Sequence, residues 1–257
     1  MTADGNGYRL NGHKLFCTQG HAKTYLVMCK TSKDGVEGYD GAVITGSALH
    51  VYDRGPEVSP QIELAKAVLA AKTPLFGSCW GLQVAVTVAG GVVRRNPRGR
   101  ELGYGRRILL NEAGRAHPMY RGKPAVFEAF TIHRDDIGRL PDGATELATN
   151  EMGLQAASFR CGRSSFWGVQ YHPEYSHAEI AGCVLRYGQP LVDEGLFPDL
   201  DALKAWAAEL MRFQQDPGNA QLAWKHGIGP ALKDRSIQLA EIANWLSAEV
   251  RPRVAAP

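Results

Sequence analysis

Three residues of this chain have the types and spacing for covalent acyl chemistry: Cys79, His172 and Glu174. Cys79 sits in Gly77-Ser78-Cys79-Trp80-Gly81, between an apolar run ending at Phe76 and a helical pattern over Val84–Ala89. Gly-x-Cys-x-Gly is the thiol counterpart of the Gly-x-Ser-x-Gly nucleophile elbow. A sharp strand-to-helix turn crowds the backbone, and glycine lets the chain pass close to itself. The turn lifts Cys79 to a helix N-terminus, where unpaired N–H groups and the helix dipole favour a thiolate. The same N–H groups can hold an oxyanion once that thiolate attacks a carbonyl. Far downstream, the apolar strand Phe166–Tyr171 ends in His172-Pro173-Glu174. A thiol nucleophile needs a base to carry its proton and a carboxylate to orient that base. Residues two apart in an extended segment point the same way, so Glu174 is placed to serve His172. A lone buried cysteine is more often inert packing. The pairing of the two motifs is what argues for chemistry.

The elements that must position these residues read as alternating strands and helices from Tyr39 onward. Gly41–Ser47 is a buried strand running into a small-residue loop. Ser59-Pro60 reads as the N-cap and first position of a helix whose inner face holds Ile62, Ala65 and Leu69. The helix after the elbow stops at Gly90-Gly91. Further strands are expected at Arg107–Leu110, Ala125–Phe130, Glu146–Thr149 and Gln155–Phe159, before the one that ends at Tyr171. After about Phe197 the pattern turns helical. Leu200, Leu203, Trp206, Leu210 and Phe213 recur at helical spacing behind a cap at Asp199 or Asp201. A second helix is expected near Ile237–Val250, with Leu239, Ile242, Trp245 and Leu246 on one side. These stripes are read as packing surface, with a homodimer face as the alternative. Six arginines between positions 94 and 107 are read as a solvated hairpin in preference to an anion-docking or partner-docking surface.

Composition narrows the class. The chain has 257 residues, 44% hydrophobic and 21% charged, with a net charge of +3. That charge is too small to argue for nucleic acid or a membrane surface. No apolar run approaches the roughly 18 residues of a membrane span, and no signal-peptide core is visible. The five cysteines have no metal-ligand spacing and are odd in number, which argues against a disulfide framework. A free thiol suits a reducing cytoplasm. His172 and His177 lack a third ligand at fitting spacing, so no metal is expected.

Gly-Ser-Cys79-Trp-Gly-Leu-Gln83 followed by Gly-Val-Gln-Tyr-His172-Pro-Glu174 resembles the class I glutamine amidotransferases, particularly stand-alone members similar to the amidotransferase domain of GMP synthase. The resemblance implies an α/β fold with an open, mostly parallel sheet flanked by helices, of the flavodoxin-like kind. It also implies a Cys79–His172–Glu174 triad that cleaves the side-chain amide of glutamine through a thioester. Carried over residue by residue, it places oxyanion donors at the N–H groups of Gly46 and Trp80. Gln83 matches a pocket-shaping glutamine. His133 and Asp135, in a His-x-Asp loop, become candidates for substrate contact or loop bracing. Leu82 stands where many members carry histidine. The resemblance covers roughly residues 39–195, within a domain read as 39–197 that is followed by a helical extension over 198–257.

Residues 1–38 fall outside that pattern. Gly7–Gly20 reads as two short strands about an Asn-Gly turn, Thr24–Lys30 as another strand at the sheet edge, and Ser32–Gly38 as a polar turn. The segment resembles the start of the acyl-CoA dehydrogenase middle domain, whose flavin-contacting strand would fall on Phe16 and Thr18. That family's other flavin contacts are missing, so no cofactor is expected. The chain also lacks a Ser-Gly-Gly-x-Asp-Ser pyrophosphate loop and a Walker A loop. An ammonia acceptor would have to be a separate synthase. The competing readings are a γ-glutamyl peptidase or hydrolase with the same triad, and an inactive regulatory or binding protein.

Overall fold

The computed structural model describes residues 26–29 and 40–254. Its strands are β1 (Leu26–Cys29), β2 (Gly41–Ile44), β3 (Leu75–Ser78), β4 (Val92–Arg95), β5 (Glu101–Leu110), β6 (Val126–His133), β7 (Asp135–Arg139), β8 (Thr145–Asn150), β9 (Gly153–Cys161) and β10 (Ser164–Val169). One sheet has the order β1-β2-β3-β10-β9-β8-β5-β6, and β4 and β7 form a small antiparallel pair. The apolar strand before the elbow, β3, runs parallel to β2 on one side and to β10 on the other. Leu75 and Phe76 are fully buried there, as expected for a strand covered on both faces.

The α/β architecture holds, but the sheet is mixed and not mostly parallel. All its other pairings are antiparallel. The cause is the connections. Between β8, β9 and β10 only two residues separate each strand from the next, and a hairpin turn forces antiparallel pairing. Parallel neighbours need a crossover, which the chain supplies between β2 and β3 through a helix.

The principal helices are α1 (Ser59–Ala70), α2 (Trp80–Val88), α3 (Glu112–Ala116), α4 (His177–Tyr187), α5 (Gln189–Asp193) and α6 (Leu200–Gln215). α1 buries Ile62, Ala65, Val68 and Leu69. Ser59 is its first residue and not its cap; Val58 holds the cap position, and the Ser59 hydroxyl donates back to the Arg54 carbonyl at 3.1 Å. Asp199 caps α6 by accepting from the Ala202 amide at 2.7 Å. The α6 stripe packs inward through Leu203, Ala207, Leu210 and Phe213. The single helix expected near Ile237–Val250 is instead three short pieces, Arg235–Gln238, Ala240–Trp245 and a π-turn over Leu246–Val250. Trp245 is fully buried and tilts against Phe76 of β3 with ring centroids 5.9 Å apart. That contact joins the end of the chain to the strand that carries the elbow.

Several of the clustered arginines are tied down. Arg94 pairs with Asp136 at 3.1 Å, and Arg100 makes a two-bond fork with Glu194 at 2.8 and 3.0 Å. Arg106 donates to the carbonyls of His226 and Gly227. At the other edge of the sheet β1 pairs antiparallel with β2, Met28 opposite Ala42. The expected Gly7–Gly20 hairpin with Phe16 and Thr18, and the Ser32–Gly38 turn, lie outside the described residues. Among the described residues no helix is long and apolar enough to cross a membrane.

Candidate active site

Cys79 occupies the junction of β3 and α2 with φ 51° and ψ −102°. A non-glycine residue at positive φ is strained, and the surroundings enforce it. The Cys79 amide donates to the Val169 carbonyl of β10 at 2.8 Å, and the Gln83 amide returns to the Cys79 carbonyl at 3.2 Å. The elbow glycines have contact reasons. A Cβ on Gly81 would stand 2.1 Å from the Ile44 carbonyl oxygen, and one on Gly77 2.5 Å from the Gly81 backbone. With those approaches allowed, α2 starts directly over the sheet and Cys79 sits at its N-terminus. The thiol is buried and points toward the Ile132 carbonyl at 3.8 Å.

His172 arrives from the end of β10. Its amide donates to the Phe130 carbonyl at 2.7 Å, and its ring stacks on Tyr175 with centroids 4.0 Å apart and planes 9° from parallel. Nδ1 faces Glu174 Oε1 at 2.8 Å, which leaves Nε2 for the thiol. Burial would push the imidazole pKa down, but the charges of Glu174 and Cys79 and the hydrogen bonds to both drive it up to about 10. The Glu174 carboxylate therefore favours the protonated ring beside Cys79. Ser78, next to the nucleophile in sequence, donates its hydroxyl to the same Glu174 oxygen at 2.9 Å. It locks the carboxylate to the elbow from which the thiol projects. Burial, with nearby Cys183 and Glu174, keeps the Tyr175 hydroxyl protonated.

A cavity of about 380 Å³ opens over this cluster, lined by Gly46, Cys79, Ile132, His172 and Tyr175 on the sheet side. Its far wall is α4, through Glu179, Gly182, Cys183, Arg186 and Tyr187. The volume suits a small molecule. Gly46 touches the imidazole edge so closely that a Cβ there would lie 2.5 Å from His172 Cε1. The Trp80 amide opens the first turn of α2, whose N–H groups lack helical partners. Its indole is buried and donates to Gln61 at 2.8 Å.

Other candidates lie off the cavity. Gln83 is buried and turned to Gln170 at 3.4 Å. His133 Nδ1 lies 2.9 Å from the Asp135 carbonyl, which accepts from it, and Nε2 lies 2.8 Å from Glu101 Oε2. The Asp135 carboxylate holds His50 at 2.7 Å and Tyr52 at 3.1 Å, tying down the loop after Gly46. Both side chains are engaged with neighbouring loop and strand groups away from the cavity. Leu82 is fully buried, packed toward Gly168 of β10. Sequence reasoning missed Ser78, Tyr175 and the whole of α4. For α4 a signal existed: Ser176 and Glu179 form a capping box, with the Ser176 amide donating to Glu179 Oε2 at 2.6 Å.

A family model described as glutamine amidotransferase class-I matches residues 9–186. The chain belongs to that family. The match starts upstream of the boundary expected at residue 39 and ends short of 197. A gamma-glutamyl-L-1-hydroxyisopropylamide hydrolase of a Pseudomonas species is 36% identical over 217 residues, covering 83% of this chain and 74% of the relative. A GMP synthase (glutamine-hydrolyzing) of Thermotoga sp. strain RQ2 is 32% identical over 167 residues, 65% of this chain. The matched region spans 29% of that synthase's length. Among solved structures, a glutamine amidotransferase of Thermotoga maritima has a TM-score of 0.51 at 21% identity, covering 81% of this chain and 76% of its own. The fold and family of an amidohydrolase are thus in place.

Proposed function

We propose that the chain hydrolyses the side-chain amide bond of γ-glutamyl amides, with Cys79 as nucleophile, His172 as proton carrier and Glu174 as its orienting carboxylate. The observation that carries this is the Ser78–Glu174–His172–Cys79 relay opening onto one small-molecule cavity. The Cys79 thiolate attacks the amide carbon, and the carbonyl oxygen takes the displaced electron pair between the Gly46 and Trp80 amides. His172 gives its proton to the leaving nitrogen, which departs as an amine or ammonia and leaves a γ-glutamyl thioester. Neutral His172 then takes a proton from water. The hydroxide attacks the thioester, and glutamate leaves with the thiol restored. Loss of one oxyanion donor in such a site slows turnover by about a hundredfold or more.

N-substituted γ-glutamyl amides are the favoured substrates. The Pseudomonas relative named for one of them matches a larger share of this chain than the GMP synthases do. The synthases favour a second reading, in which the substrate is glutamine and the ammonia passes to a separate synthase. A reducing cytoplasm is the compartment in which a free nucleophilic thiol persists. Initial rates on γ-glutamyl isopropylamide and on glutamine, for the wild type and Cys79→Ala, separate these readings. A faster rate on the N-alkyl amide supports the hydrolase, and a faster rate on glutamine the ammonia donor. Cleavage that survives in Cys79→Ala, or no cleavage of either compound by a folded wild type, overturns the proposal.

A further inference from the structure

His172 and Glu174 sit on irregular backbone, the segment Tyr171–Ser176 between β10 and α4. No strand ladder holds its carbonyls, so something else must satisfy them. That partner comes from beyond the family match. Arg235 donates to the Tyr175 carbonyl at 2.8 Å and to the Glu174 carbonyl at 3.2 Å. Gln238 Nε2 donates to the Pro173 carbonyl at 2.8 Å and to that of Tyr175. Glu241 Oε1 accepts from the Tyr171 hydroxyl at 2.5 Å and pairs with Lys123 Nζ at 2.6 Å. Positions 235, 238 and 241 fall three apart, on one side of two short helices. The carbonyls of Pro173, Glu174 and Tyr175 thus each accept a bond from this face, and the Tyr171 hydroxyl donates to it.

The side chains of Lys123 and Glu241 are 1% and 0% exposed. A buried ion pair is no better for stability than well-packed apolar residues. Here it fixes Tyr171, the residue directly before His172.

We infer that Arg235, Gln238 and Glu241 form a clamp that positions His172 and Glu174 against Cys79, making the C-terminal segment a working part of the site. They are positioning residues: none lines the cavity over the thiol. The inference rests on the proposed acyl transfer for its turnover readout. Cys79 alkylation by iodoacetamide supplies a second readout that needs no substrate.

Arg235 is exposed, so Arg235→Ala tests the clamp without opening the core, with Arg235→Lys as the rescuing variant and Gln238→Ala as a second probe. A shift near 1 Å at a reacting group costs on the order of a hundredfold in rate. Arg235→Ala and Gln238→Ala are expected to lower kcat about ten- to a hundredfold, with KM close to wild type. The basic limb of the alkylation pH profile should move to lower pH, because a loosened Glu174 supports the imidazolium less. Arg235→Lys should restore part of both effects. Melting curves confirm folding in each variant. Folded Arg235→Ala and Gln238→Ala proteins with wild-type kcat and an unmoved basic limb overturn the clamp. A wild type that hydrolyses neither amide overturns the proposed function alone, and the alkylation profile then decides the clamp.

Discussion

Gly46→Ala is the most exacting test of the geometry around the imidazole. The added Cβ would stand 2.5 Å from His172 Cε1 and 3.3 Å from Nε2. Carbon atoms in contact settle at about 3.5–4.0 Å, so roughly 1 Å of movement is required. The ring has little freedom to supply it. Nδ1 is on Glu174, one face is stacked on Tyr175, and the backbone amide is tied to Phe130. Either the imidazole leaves its place beside the thiol or the Gly46 loop withdraws the N–H proposed to hold the oxyanion. Both outcomes damage the chemical step more than binding. A displacement of that size predicts a fall in kcat/KM of about a hundredfold. Overpacking should lower stability by only about 1–3 kcal/mol, leaving the protein folded. Steady-state rates on γ-glutamyl isopropylamide and urea unfolding measure the two quantities. Gly55→Ala is the control, since a Cβ there meets nothing within 4 Å. A Gly46→Ala protein as active as the wild type would refute the placement of Gly46 against His172.

Three further outcomes follow from the same contacts. Glu174→Gln keeps the shape of the carboxylate but removes the charge that opposes burial at His172. The basic limb of the activity profile, set by the imidazolium that Glu174 and Cys79 hold up, should move to lower pH, and kcat should fall by about 10²–10⁴. Glu101 is buried, and accepts from Asn150 at 2.6 Å, His133 at 2.8 Å and Gln155 at 3.1 Å; Glu101→Ala strands those donors and should cost roughly 3 kcal/mol or more in urea unfolding. Burial pushes His177 down to about 4, while the unfolded value is about 6.5. The unfolded state therefore binds the proton more readily, and this part of the stability, present above about pH 6.5, is lost as pH falls through 4. Urea midpoints measured across that window should fall less steeply in His177→Gln, and an unchanged slope would exclude His177 as the cause.

The residues of the proposed triad stand out in the sequence because each half lies in a short motif of its own. Gly77 and Gly81 mark a turn whose approach distances forbid a Cβ, and His172 and Glu174 are two apart in one short segment, which turns at Pro173-Glu174 instead of staying extended and still brings Nδ1 to the carboxylate. Gln83, His133 and Asp135 were named from position in a motif, which gives nearness along the chain and not the direction of a side chain. One turn of α2 carries Gln83 away from the thiol toward Gln170. The mixed sheet follows from two-residue connections that local strand patterns do not pair. Ser78 reaches Glu174 across 96 positions, and Gln238 reaches Pro173 across 65. Contacts of that range leave no periodicity to read. α4 differs, since its capping box was visible in Ser176 and Glu179.

The central claim is a covalent γ-glutamyl thioester on Cys79, and acid-quenched mass spectrometry during turnover reads it directly. The protein is mixed with excess γ-glutamyl isopropylamide, quenched in acid, digested and mapped. The mechanism predicts one glutamyl increment confined to the peptide that holds Cys79, lost on hydroxylamine treatment and missing from Cys79→Ala. Turnover that proceeds while this peptide stays unmodified through the earliest quench times, with full activity in Cys79→Ala, would contradict it.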